Sequence, residues 1–144
     1  MEKFNIQPLI EQHEKFKLKF EDLTVKDLFE WVRLKEAMLD MVTEMTSVLA
    51  ESKLLLDNEK GSKMIDLKWQ LNTEWKKIHT ESTAQAVINE LFLEKDKEMI
   101  EMKKNLSLLK QKADNIIEYV NLSKKYLDLD RDTQIAANQP YDFQ

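Results

Sequence analysis

The chain has 144 residues, one glycine, two prolines, no cysteine and a formal net charge of −5. So few glycines and prolines leave little room for tight turns, which excludes a sheet with several hairpins and favours long helices. The absence of cysteine removes disulfide and thiolate chemistry, and the acidic balance argues against a surface dominated by non-specific phosphate contacts. There is no uninterrupted apolar leader and no run of about 18 apolar residues. The expectation is therefore one soluble, cytoplasmic helical domain with no membrane partner.

In chain order, residues 1–23 form a short helical segment with a stripe at Leu9, His13, Phe16, Phe20 and Leu23, and Pro8 suits a first turn. Thr24 followed by Asp27 marks a helix start, with a carboxylate near the positive end of the helix dipole. Helical periodicity then runs over 24–79. Gly61 is the single interruption, and between strongly helical flanks it loosens or bends a helix rather than ending it. Ser82 with Gln85 in the capping-box position opens a second long helix over 83–128. The short connection near Thr80 makes the two helices antiparallel. Residues 129–144 lose periodicity and read as a frayed tail, with Tyr141 and Phe143 as an alternative docking hook.

The second helix carries a strict 4,3 spacing at Ile88, Phe92, Lys95, Met99, Met102, Leu106, Leu109, Ala113, Ile116, Val120, Ser123 and Leu127. Only Lys95 and Ser123 break the apolar run. A repeat of 3.5 residues kept this long implies a seam supercoiled against another helix. The fold class is all-α: an elongated, coiled-coil-like antiparallel helical hairpin with a short N-terminal segment and an irregular tail.

The first long helix has more apolar surface than one seam can cover. One stripe is Leu28, Val32, Leu39, Val42, Leu49 and Leu56. Another lies about 60° around the axis at Trp31, Leu34, Met38, Met41, Met45, Val48 and Leu55. The second helix covers one stripe; the N-terminal segment covers part of the other, and a second copy of the chain covers the rest. A homo-oligomer follows, with Trp31, Leu34, Met38, Met41, Met45, Val48, Leu55, Ile65 and Trp69 as its interface.

Catalytic chemistry finds little footing. One glycine excludes phosphate-binding and dinucleotide-binding loops, and His13 and His79 lack metal-ligand spacing. Asp128, Asp130 and Asp132 imitate the opening of a calcium loop, but Thr133 stands where the turn glycine belongs and Gln139 where the bidentate glutamate belongs. The alternating carboxylates and lysines from Glu90 to Lys103 read as a solvated face. No enzyme activity, cofactor, metal or small-molecule substrate is expected.

The stretch from Lys60 to Lys77 stands apart, with five lysines against two acids in an acidic chain and two of the three tryptophans. As part of the first long helix, it turns Met64, Leu67, Leu71, Trp75 and Ile78 to the core and Trp69 outward. Two readings are open for the outward face. Trp69 stacks on bases of a single strand while Lys63, Lys68, Lys76 and Lys77 meet phosphates, or Trp69 is buried between subunits with the lysines at the rim. The scatter of the lysines around the helix favours the second.

Within this stretch, Leu67-Lys68-Trp69-Gln70-Leu71-Asn72 resembles the Leu-Lys-x-Arg-Leu-Asp run of the UvsY family of phage recombination mediators. The likeness extends through the second helix, from Ser82 to Lys124, and covers roughly residues 24–128. It implies a non-enzymatic, ring-like oligomer in a phage-infected bacterial cell that binds single-stranded DNA, helps displace the single-strand-binding protein and loads a RecA-like recombinase. Lys68 matches the motif's basic residue, and Gln70 stands where the family has arginine. The alternative expectation is a structural or protein-interaction helical module, such as a virion component or an inhibitor of a host protein, with no nucleic-acid binding.

Overall fold

A computed structural model describes residues 4–18 and 24–138, with side chains described up to Lys17 and from Thr24 to Lys125. The described residues form four helices: α1 (Gln7–Leu18), α2 (Val25–Lys68), α3 (Glu81–Leu91) and α4 (Leu93–Asn138). Among the described residues there is no β-strand, only an isolated antiparallel bridge between Leu71 and Lys77. The all-α fold class holds. Phe20, Leu23, Tyr141 and Phe143, and the side chains of Leu127, Asp128, Asp130 and Asp132, lie outside the described residues.

The helix starts follow local chemistry. Thr24 Oγ1 accepts a hydrogen bond from Asp27 N at 3.3 Å, and Asp27 Oδ2 accepts from Thr24 N at 2.8 Å. This is a reciprocal cap that satisfies two donors at once. The second cap falls at Thr80, not Ser82: Thr80 is extended, and its Oγ1 accepts from Thr83 N at 3.3 Å. Gln85 takes no part in capping and donates to Asn89 Oδ1 instead. Gly61 leaves α2 unbroken, as expected.

Three boundaries differ from expectation. α2 stops at Lys68, well before residue 79. The helix expected to run unbroken from 83 is interrupted at Phe92, whose φ of −102° and ψ of 11° leave the helical basin. Hydrogen bonds nonetheless bridge the break, from Phe92 N to Ile88 O and from Asp96 N to Phe92 O. The backbone of 129–138, expected to be irregular, continues α4. Asp128–Asp132 is thus helical backbone rather than the turn a calcium loop needs.

The chain divides into two compact units. One is built chiefly of Thr43–Ser107, and there the end of α2 runs antiparallel to α3 and the start of α4. Ion pairs fix that register: Lys95–Glu59 at 2.7 Å and Lys60–Asp96 at 2.6 Å. Its buried residues are Met45, Leu56, Leu67, Ala84, Ile88, Met99, Met102 and Leu106. The other unit takes Asn5–Val42 and the chain from Leu108 on, so that α1, the start of α2 and the later part of α4 form a three-helix core.

That second core contains Phe16, Trp31, Leu34, Met38, Val42, Leu109, Ala113, Ile116 and Val120, together with buried His13 and Ser123. Its centre is aromatic. Trp31 lies 5.1 Å from Phe16, 5.4 Å from His13 in an edge-on arrangement and 5.6 Å from Tyr119, measured between ring centroids. Lys112–Glu14, at 2.8 Å, ties α4 to α1 at the edge of this cluster. His13 is a packed core histidine.

The seam on α3 and α4 is buried at every described position except Phe92, which is half-buried, and Lys95, which is exposed. The stripes of α2 are the correction. Trp31, Leu34, Met38 and Met45, expected at an oligomer interface, are each at most 2% exposed within their own chain. Met41 and Val48 are half-buried. Val32 and Leu39 of the other stripe face solvent at about 40% exposure. For Trp31, Leu34 and Met38 the reason is the third helix: a core wedged between α1, α2 and α4 draws in the side of α2 that points between its two neighbours, not the side facing one partner. Met45 is buried in the other unit.

Candidate functional site: the loop between α2 and α3

Residues 69–80 follow the end of α2 and fold into a tight hairpin centred on Asn72. Trp69 N still donates to Ile65 O at 3.1 Å, and Gln70 N reaches Leu67 O at 3.3 Å, a tightening typical of a last turn. The chain then reverses. Asn72 N donates to Lys76 O at 2.8 Å and Trp75 N donates to Asn72 O at 3.0 Å. Asn72 Oδ1 accepts from both Glu74 N and Lys76 N at 2.9 Å. Ile78 N closes the base on Gln70 O at 3.1 Å, and the His79 Nε2 and Gln70 Oε1 atoms meet at 3.2 Å. An asparagine side chain offers the backbone partners that compete with a helix, and here that competition ends α2.

This pattern, with three residues between paired Asn72 and Lys76, ends in a residue of left-handed backbone, a place ordinarily taken by glycine. Trp75 occupies it with φ = 63°. A bulky residue there is strained by roughly 1–3 kcal/mol. The same side chain is 82% exposed, and Trp69 is 76% exposed. Two indoles thus stand in solvent on one loop, one of them held there against backbone preference. Trp75→Gly is expected to raise the unfolding free energy by about 1 kcal/mol, read as a higher urea midpoint at unchanged helicity.

Around the indoles lie Ile65, Leu71 and Ile78, exposed at 60%, 42% and 54%. Leu71, Trp75 and Ile78 were expected in the core; α2 ends before their helical positions exist, so only Met64 and Leu67 of that face pack inward. They do so in a local cluster with Ala84, Val87, Ile88 and Phe92, which anchors the loop.

The lysines divide. Lys68 Nζ lies 3.4 Å from Glu81 Oε1, and Lys76 Nζ lies 3.4 Å from Glu74 Oε2. Lys77 is exposed beside them with no ion pair among the described residues. Lys63 instead rims a shallow groove with Leu55, Asn58, Ser62, Asp66 and Phe92. Lys68, Trp69, Lys76 and Lys77 of the expected nucleic-acid set therefore belong to this loop and its base, and Trp75 joins them. Of the expected oligomer surface, Leu55, Ile65 and Trp69 remain exposed. Among the described residues no three His, Asp or Glu side chains group so as to hold a metal, and no helix is long and apolar enough to cross a membrane.

No protein-family model, curated protein or solved structure matches the chain.

Proposed function

We propose that the chain is a non-enzymatic binding module that holds single-stranded nucleic acid on the loop between α2 and α3. The observation that carries this reading is the exposure of Trp69 and Trp75 beside Lys68, Lys76 and Lys77. Exposed apolar residues are ordinary when scattered. Two tryptophans on one loop, one in strained backbone, are not. Every base presents a π-face, and stacking on an aromatic side chain is worth about 1–3 kcal/mol per base.

Charge supports the same reading. Residues 60–77 carry a net +3 and the rest of the chain −8, so a polyanion is drawn to this region and repelled elsewhere. The ion pairs of Lys68 and Lys76 are exposed and long, and such pairs contribute about 0–1 kcal/mol. Phosphate can replace them at small cost. The resemblance to the UvsY mediators implies this ligand too, together with self-assembly and a recombinase partner. In this chain Gln70 holds the base of the hairpin rather than reaching for a phosphate.

A second reading rests on Leu71, Ile78 and Ile65. Their exposed aliphatic surface around the indoles suits a protein partner, in which case the chain is a protein-interaction module.

Tryptophan fluorescence separates the two. Trp31 is buried, so labelled or unlabelled oligo-dT is expected to quench Trp69 and Trp75 selectively, with affinity falling steeply as salt rises. Trp69→Ala with Trp75→Ala is expected to weaken binding by at least about tenfold at unchanged helicity. Lys76→Ala with Lys77→Ala is expected to flatten the salt dependence. Absence of any binding at low salt would end the nucleic-acid reading and leave the protein-docking one.

A further inference from the structure

We propose that residues 62–91, the end of α2 with the loop and α3, swing as one body about a hinge formed by Gly61 and Phe92. The two helices are weak at the same level. Glu59 pairs with Lys95 and Lys60 with Asp96, so antiparallel register sets Gly61 within about a turn of the break at Phe92.

Gly61 is the only glycine in the chain, and a Cβ added there would meet nothing within 4 Å. Close packing therefore does not require it, and its φ is not positive. What glycine brings to the middle of a helix is a backbone easier to unwind than any alanine in its place. Across from it, Phe92 leaves the helical basin.

The core is interrupted at the same level. No residue from 57 to 63 on α2 is buried, and none from 89 to 98 on α3 and α4. Lys95 occupies a seam position there, its Nζ 5.7 Å from the Phe92 ring centroid. Packing resumes on either side: Leu56 and Met99 on one, and on the other the separate cluster of Leu67, Ala84 and Ile88. A layer held by one exposed and one half-buried ion pair resists bending far less than interlocked apolar side chains. The body beyond the layer keeps its own small core, so it moves without opening. The hinge presents the tryptophan loop over a range of angles, whatever ligand that loop takes.

With no native cysteine, spin labels can be placed at will on the full chain. A pair at Glu51→Cys and Gln85→Cys spans the hinge; a pair at Glu44→Cys and Asp57→Cys stays within α2 on one side of it. The spanning pair is expected to show the broader distance distribution. Gly61→Ala is expected to narrow it toward the control, and Lys95→Leu, which restores an apolar seam layer, to narrow it independently. The hinge is overturned if the spanning pair is as narrow as the control in the parent chain, or if neither substitution narrows it.

Discussion

Trp31→Ala is expected to cost about 3–5 kcal/mol of stability, the range for deleting a large aromatic side chain from a packed core. Trp31 is fully buried and touches rings from two other helices: His13 and Phe16 of α1 and Tyr119 of α4. Its removal leaves a cavity at the meeting point of all three, which no single side chain can fill. Domains of this size are stable by about 5–15 kcal/mol, so the loss should bring the unit of α1, α2 and α4 close to unfolding at ambient temperature. The readout is the urea midpoint followed by far-ultraviolet circular dichroism. Val32→Ala, one residue away and largely exposed, is expected to stay within about 0.5 kcal/mol of the parent. A stable Trp31→Ala chain of altered oligomeric mass would return Trp31 to an interface role.

Acid is expected to weaken the same unit through His13. The ring is 1% exposed, and neither nitrogen has a hydrogen-bond partner among the described residues. Glu14 Oε1 is 3.6 Å from Nδ1, beyond hydrogen-bond range. Burial is the main cause holding the His13 pKa below its ordinary 6.5; Lys112 and, more weakly, Lys17 add to it, while Glu14 opposes. The folded chain thus keeps the ring neutral where the unfolded chain protonates it. Stability from this group is complete above pH 6.5 and is lost as pH falls below that value, by up to about 1.4 kcal/mol per pH unit. Glu14, held below its usual carboxylate range by hydrogen bonding to Lys112, adds its own loss only at lower pH. Urea midpoints taken from about pH 7.5 to about pH 5 should therefore fall in the parent chain. They should stay nearly flat in His13→Phe, which keeps a ring in the cluster but cannot titrate. Equal slopes in the two chains would show that His13 does not govern the acid response.

Much of the architecture was legible in residue spacing. The seam from Ile88 to Ser123 was readable because a 3.5-residue repeat forces one face inward whatever its partner is. Its exception at Lys95 was readable too, and it marks the layer where the core is interrupted. The cap at Thr24 and Asp27 needed only neighbours three residues apart. The loop was missed because it contains no glycine or proline: Asn72 ends the helix through its side chain, and Trp75 takes a backbone conformation that residue type argues against. The clue in the sequence was Asn72-Thr73, a pair more at home in turns than in a helix interior.

The candidate site shows the same division. Trp69 and the lysines around it drew notice through composition alone, since charge and aromatic content are properties of residues. That Trp75, Leu71 and Ile78 stand with them in solvent depended on where α2 stops. The inward face of the start of α2 likewise depended on its packing against both α1 and the later part of α4, which lies far away along the chain. Periodicity and capping are local, and the sequence by itself determined them: helices, a seam, an acidic chain with one basic stretch. Which stripe of α2 is buried and which tryptophans are exposed are consequences of three-body packing and one side-chain-to-backbone competition, and only the tertiary structure decided them.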